Sequence, residues 1–147
     1  MSKSKREKIT IGRREVANLP QFGLMHVAVK VDSGAYTSSI HVSSCQEIDM
    51  EGAKLLEVVF LDANHPSFDN EKHYFSNYRM KKVRSSTGQE QLRYFIFCTL
   101  DILGQHIKTE FSLTERKGMR FPILLGRKLL NNRFIIDTSL KNTYKTI

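Results

Sequence analysis

The stretch Val29-Lys30-Val31-Asp32-Ser33-Gly34-Ala35-Tyr36-Thr37-Ser38-Ser39-Ile40 decides how this chain is read, because it sets a carboxylate on a tight turn between two apolar runs. Asp, Ser and Gly are the ordinary residues of turns, so the triplet Asp32-Ser33-Gly34 by itself says only that the chain reverses there. An acid with a hydroxyl neighbour and a glycine is also what a water-activating aspartic peptidase needs. That chemistry takes two carboxylates held close enough to share one proton, since like charges in a small space cannot both ionise. The triplet occurs once, so a second carboxylate has to be accounted for.

On either side of this stretch the pattern is that of strands. Short apolar or alternating runs rich in Val, Ile, Phe and Thr cover Lys8–Ile11, His26–Val31, Ser39–Ser43, Lys54–Leu61, Leu92–Leu100, His106–Leu113 and Arg133–Asp137. Gly, Asn, Asp or Pro bound them, which predicts an all-β domain of many short strands. One segment reads as helical, Gly126 to Asn132, where good helix formers follow Ile123-Leu124-Leu125 and stop at Asn131-Asn132. Asp62 to Tyr78 has no periodicity and is expected to be a long surface loop or a distorted strand. Met80–Arg84 and Gln91–Phe97 flank the small tip Ser85-Ser86-Thr87-Gly88, which predicts a hairpin.

The chain has 147 residues, enough for one domain with a real core and too few for two. We expect a basic tail over residues 1–8 and a single domain over residues 9–147. The tail lacks an apolar segment and reads as neither secretory signal nor anchor, and no apolar run is long enough to cross a bilayer. Cys45 and Cys98 suggest no disulfide framework, so a reducing cytoplasm is the expected compartment. A net charge of +8 draws polyanions. Nucleic acid is a weak expectation among them, because no element joins the basic clusters to the aromatic spacing of an RNA or DNA module.

Taken together, the Asp32 stretch, the hairpin and Phe121-Pro122-Ile123-Leu124-Leu125-Gly126-Arg127-Lys128-Leu129-Leu130 resemble the retropepsin family in order and spacing. The likeness is greatest to a bacterial and archaeal subgroup long labelled ATP-dependent zinc proteases. It runs from Ile11-Gly12-Arg13-Arg14-Glu15 through Val83-Arg84-Ser85-Ser86-Thr87-Gly88 and Leu113-Thr114-Glu115-Arg116 to the Gly126-Arg127 segment. The resemblance implies a closed β-barrel with a flap hairpin and one short C-terminal helix. It implies an aspartic endopeptidase in which Asp32 is the catalytic acid. Ser33 would stand in for the usual Thr, Gly34 would let substrate approach, and Ala35 and Thr37 would belong to the active-site loop. Ser85, Ser86, Thr87 and Gly88 would form the flap tip over substrate, with Gly126 and Arg127 packed behind the loop as structural support. Retroviral members commonly carry an acid at the position of Tyr36 to pair with that arginine, so Arg127 must find another partner here.

The second acid would come from Asp32 of a second copy, which a twofold dimer places at its axis. Asp137, in Ile135-Ile136-Asp137-Thr138-Ser139, is the internal alternative and is discounted because Ser139 stands where glycine should be. The five histidines, His26, His41, His65, His73 and His106, have no zinc-site spacing, and no phosphate-binding glycine loop is present. Neither metal nor cofactor is therefore expected, and His41 reads as structural. Cys45, Cys98, Ser33 and Ser38 lack the partners of a nucleophile. The alternative function is a non-catalytic dimeric peptide-binding module on the same fold. Subgroup members are associated with ligases that add glutamates to protein C-termini, which implies an acidic, glutamate-rich tail as substrate. Lys81, Lys82, Arg84 and Arg93 around the flap, with Arg116 and Arg120, would guide it.

Overall fold

The computed structural model describes residues 7–84, 87–115 and 120–146. The strands are β1 (Ile9–Ile11), β2 (Arg14–Leu19), β3 (Leu24–Val31), β4 (Ser38–Met50), β5 (Ala53–Phe60), β6 (His73–Phe75), β7 (Arg79–Arg84), β8 (Glu90–Ile102), β9 (Gln105–Thr114), β10 (Ile123–Leu125) and β11 (Phe134–Ile136). Among the described residues the α-helix is a single turn, α1 (Arg127–Leu130), between β10 and β11.

Strand pairing closes on itself in the order β10-β3-β2-β8-β9-β4 and back to β10. The keystone is the short β10, which lies parallel to β3 (Leu125↔Val31) and antiparallel to β4 (Ile123↔Ile40). Closure leaves none of these strands with a bare edge along its paired part. The inside is apolar: Val27, Val29, Ile40, Ile96, Leu100, Ile123 and Leu125 are fully buried. Alternation along β8 shows the period of two, with Ile96, Cys98, Leu100 and Ile102 inward and Phe97 outward and exposed. β4 continues beyond the ring, pairs with β5, and β5 with β6. β7 pairs with the first half of β8 to form the expected hairpin.

The all-β reading holds, and its departures have physical causes. β2 escapes the apolar pattern because Glu15 fills one of its inward positions. That carboxylate is buried yet satisfied by the Gly12 and Tyr144 amides and the Thr143 hydroxyl. The 62–78 segment is mostly loop, as expected, but contributes the short β6. Two turns are tighter than their residues advertise. Glu51-Gly52 joins β4 to β5 and Leu103-Gly104 joins β8 to β9, with positive φ at every position (52°, 83°, 48° and 75°). This matches the type I′ geometry in which the twist of the turn suits the twist of the strands. The helix expected from 126 to 132 shortens to α1. No helix among the described residues is long and apolar enough to cross a membrane.

Candidate active site

Asp32 stands where β3 leaves the barrel. Its amide donates to Leu125 O at 2.9 Å, so the keystone strand fixes the point of departure. Its Oδ1 accepts the Gly34 amide at 2.9 Å, and the Ala35 amide returns to Asp32 O at 3.2 Å, closing an Asx turn. The residue is half-buried, and its Oδ2 has no hydrogen-bond partner among the described residues.

The turn after β10 props this loop from beneath. Main-chain donors do most of it: Arg127 N to Ala35 O at 2.8 Å, Lys128 N to Tyr36 O at 2.9 Å and Gly126 N to Ser38 Oγ at 3.0 Å. Arg127 finds the partner that the sequence could not name. Its Nη1 donates to the Ser33 carbonyl at 2.8 Å, and its guanidinium lies 5.8 Å from the centre of the Tyr36 ring. A carbonyl and a π-face thus replace the acid, two acceptors that a planar cation can use at once. Gly126 is required by space, since a Cβ there would lie 2.6 Å from Tyr36 O.

Next to the loop is an open cleft of about 510 Å³. Ala35, Thr37 and Ser39 line one side, Ser112, Thr114 and Glu115 come from β9 and its end, and Lys81, Val83, Arg93 and Phe95 come from the hairpin. The hairpin alternates, so Lys81 and Arg93, which face each other in register, point to the cleft while Lys82 and Arg84 are not among its lining residues. Of the four basic hairpin residues expected to guide substrate, Lys81 and Arg93 therefore line the cleft and Lys82 and Arg84 do not. Arg120 lies 5.7 Å from the Phe121 ring centre, and Arg116 is outside the described residues. The flap tip is described only at Thr87 and Gly88, where Gly88 has φ 83° and Thr87 is exposed; Ser85 and Ser86 lie outside the described residues.

The remaining candidates have other occupations. His41 is buried, and its Nε2 shares a 2.7 Å hydrogen bond with Asp62 Oδ2. The Asn64 amide and then the His41 ring hold the Asp62 carboxyl below its ordinary range. Asp137 accepts from both the amide and hydroxyl of Ser139, which hold its pKa down and make it a turn residue. Burial pushes the Cys45 and Cys98 thiols up to about 12, so neither is a thiolate at neutral pH. No group of three metal-binding side chains occurs among the described residues. Sequence reasoning weighed Ser38 only as a nucleophile and did not foresee that its hydroxyl accepts the Gly126 amide, and it missed Ser39, Ser112 and Thr114 in the cleft wall. The run Thr37-Ser38-Ser39 was the available signal, because alternation puts Thr37 and Ser39 on one face and Ser38 on the other.

Compared with known proteins, residues 10–146 match the model of the RimB-like family, described as retropepsin-like aspartic endopeptidase RimB. The chain belongs to the RimB-like family. Among curated proteins it is similar to a probable alpha-L-glutamate ligase of Shewanella pealeana, 30% identical over 137 residues, covering 90% of this chain and 29% of that protein. A probable alpha-L-glutamate ligase of Desulfotalea psychrophila is 30% identical over 145 residues, covering 96% of this chain and 30% of its own length. This chain thus spans less than a third of those relatives. A Legionella pneumophila protein of unknown function shares the fold, with TM-score 0.66 and 21% identity over 94% of this chain and 99% of the other. The RimB-like assignment agrees with the retropepsin resemblance and with the closed barrel.

Proposed function

We propose that this chain is an aspartic endopeptidase whose active centre is completed by a second copy, each protomer supplying one Asp32. The observation that carries the reading is the Asp32 turn itself: a half-buried carboxylate, one oxygen tied to Gly34 N and the other without a hydrogen-bond partner among the described residues, beside a cleft of about 510 Å³. With one carboxylate ionised and the other protonated, the ionised one takes a proton from the water between them. The oxygen of that water attacks the scissile carbonyl carbon, and the protonated carboxyl gives its proton to the carbonyl oxygen. Collapse of the tetrahedral diol breaks the C–N bond as a proton passes to the departing amine, leaving acid and amine products and one shared proton on the pair.

Two features support the dimer. Among the described residues β11 pairs with β1 alone, leaving its other edge open, and Ile135 on that strand is 55% exposed. Tyr36, in the Asp32 loop, is 56% exposed, an apolar surface that a partner can cover.

We further propose an acidic peptide as substrate. Lys81 and Arg93 lie directly across the hairpin from each other, a pairing that like charges disfavour, and neither has an ionic partner among the described residues. An anionic side chain between them removes that repulsion. Glu115 lines the same cleft and limits the effect to its basic side. The curated relatives support the reading, since a segment similar to this chain occurs in proteins named for joining glutamate. A glutamate-rich peptide is expected to be cleaved at least about tenfold faster than a neutral one at low salt, with the advantage fading as ionic strength rises. Lys81→Glu combined with Arg93→Glu reverses the preference. Equal rates for the two peptides, unmoved by salt, contradict the acidic substrate and leave the peptidase reading standing.

A further inference from the structure

A buried carboxylate on the outer wall of the barrel ties together elements on both sides of the cleft. Glu110 of β9 has a side chain only 3% exposed. Arg79 Nε donates to its Oε2 at 2.8 Å and Arg79 Nη2 to its Oε1 at 3.1 Å, a bidentate clasp, while Lys128 Nζ donates to Oε1 at 3.2 Å. A carboxylate in that position is costly unless paired and hydrogen-bonded, and an apolar side chain would fill the wall without the cost. Its value must lie in what it holds together.

Each cation has a second contact that points toward the site. Arg79 is the first residue of β7, the root of the hairpin, and its guanidinium lies 4.4 Å from the centre of the Phe95 ring in the cleft wall. Lys128 is in α1, and its amide holds Tyr36 O of the Asp32 loop. Glu110 therefore stands between the root of one cleft wall and the prop of the other. We propose that Glu110 is a positioning residue that fixes the root of the β7–β8 hairpin relative to the Asp32 loop and so sets the separation of the two walls.

Without the clasp, fewer molecules hold the walls at binding distance. The apparent affinity for peptide falls in proportion, while the rate from the bound state changes little. This kinetic consequence rests on the peptidase reading; the effect on the hairpin does not.

The experiment is hydrogen exchange on the full chain and its Glu110→Gln variant, followed by residues, with KM and kcat for a glutamate-rich peptide measured on the same samples. Exchange in residues 79–84 and 90–95 is expected to quicken by about tenfold while β3 and β10 keep wild-type protection. KM should rise about tenfold with kcat within about threefold of wild type. Arg79→Lys, which keeps the charge and loses the fork, should fall between the two, and it serves as the test if Glu110→Gln does not fold. Unchanged hairpin exchange, or acceleration spread evenly over the barrel, overturns the proposal. A hairpin that loosens in a protein whose wild type cleaves no peptide upholds the clasp and refutes the peptidase.

Discussion

Asp32→Asn is expected to reduce peptide cleavage by at least about a thousandfold, toward the upper range for loss of a general acid or base. The substitution is well suited to isolate chemistry from folding. Asn retains an oxygen that can accept the Gly34 amide at the position where Oδ1 accepts it now, so the Asx turn survives. What is lost is the ability to take and hold a proton. Two Asn side chains facing one another cannot share one, and the water between them keeps its own. Melting temperature, far-UV spectrum and oligomeric state should match wild type. A variant that folds and cleaves within about tenfold of wild type would move the chemistry to other residues.

Gly126→Ala is expected to have the second-largest effect, and it acts through packing. The added Cβ would meet Tyr36 O at 2.6 Å, Tyr36 C at 2.8 Å and Thr37 C at 2.9 Å, all main-chain atoms with no flexible end to swing aside. The backbone there is extended (φ −94°, ψ 175°), which alanine adopts freely, so space alone is at issue. Relief requires the Asp32 loop and the turn under it to part, which weakens the bonds from Gly126 N to Ser38 Oγ and from Arg127 N to Ala35 O. Overpacking of this kind costs about 1–3 kcal/mol, a fall of several degrees in melting temperature for a chain of this size. A shift of an ångström at a reacting group costs about a hundredfold in rate, so kcat should suffer more than stability suggests. Wild-type stability together with wild-type kcat would show that the loop tolerates displacement and is not built around a fixed Asp32.

The parts of the fold that could be read from sequence are those where period and punctuation agree. β3, β8, β9 and the hairpin announce themselves through alternation bounded by turn residues. β2 does not, because the inward Glu15 breaks the apolar pattern and is satisfied by Thr143 and Tyr144 from the far end of the chain. Local pattern cannot reveal a partner so distant. β10 was visible as an apolar run, yet its function as the strand that closes the barrel depends on pairing with both β3 and β4. In the site, the Asp32 turn and the Gly126 prop follow from motif order. The Arg127 partner could not be found among side chains because it is the Ser33 carbonyl. The period of two separates Lys81 from Lys82 and Arg84, but that Arg93 shares the face of Lys81 depends on the hairpin register, which the strand pairing supplies. Glu110 was not, because an acid in a strand gives no sign of whether it faces water or two cations.

The shared pair of Asp32 carboxylates is tested most directly by mixing protomers. Wild-type chains and Asp32→Asn chains are combined, dissociated, allowed to reassociate and assayed at fixed total protein. If each active centre needs Asp32 from both protomers, activity follows the square of the wild-type fraction, about one quarter of the full rate at equal proportions. Activity that falls only in proportion, to about one half, would show that one chain carries a complete site and would contradict the account.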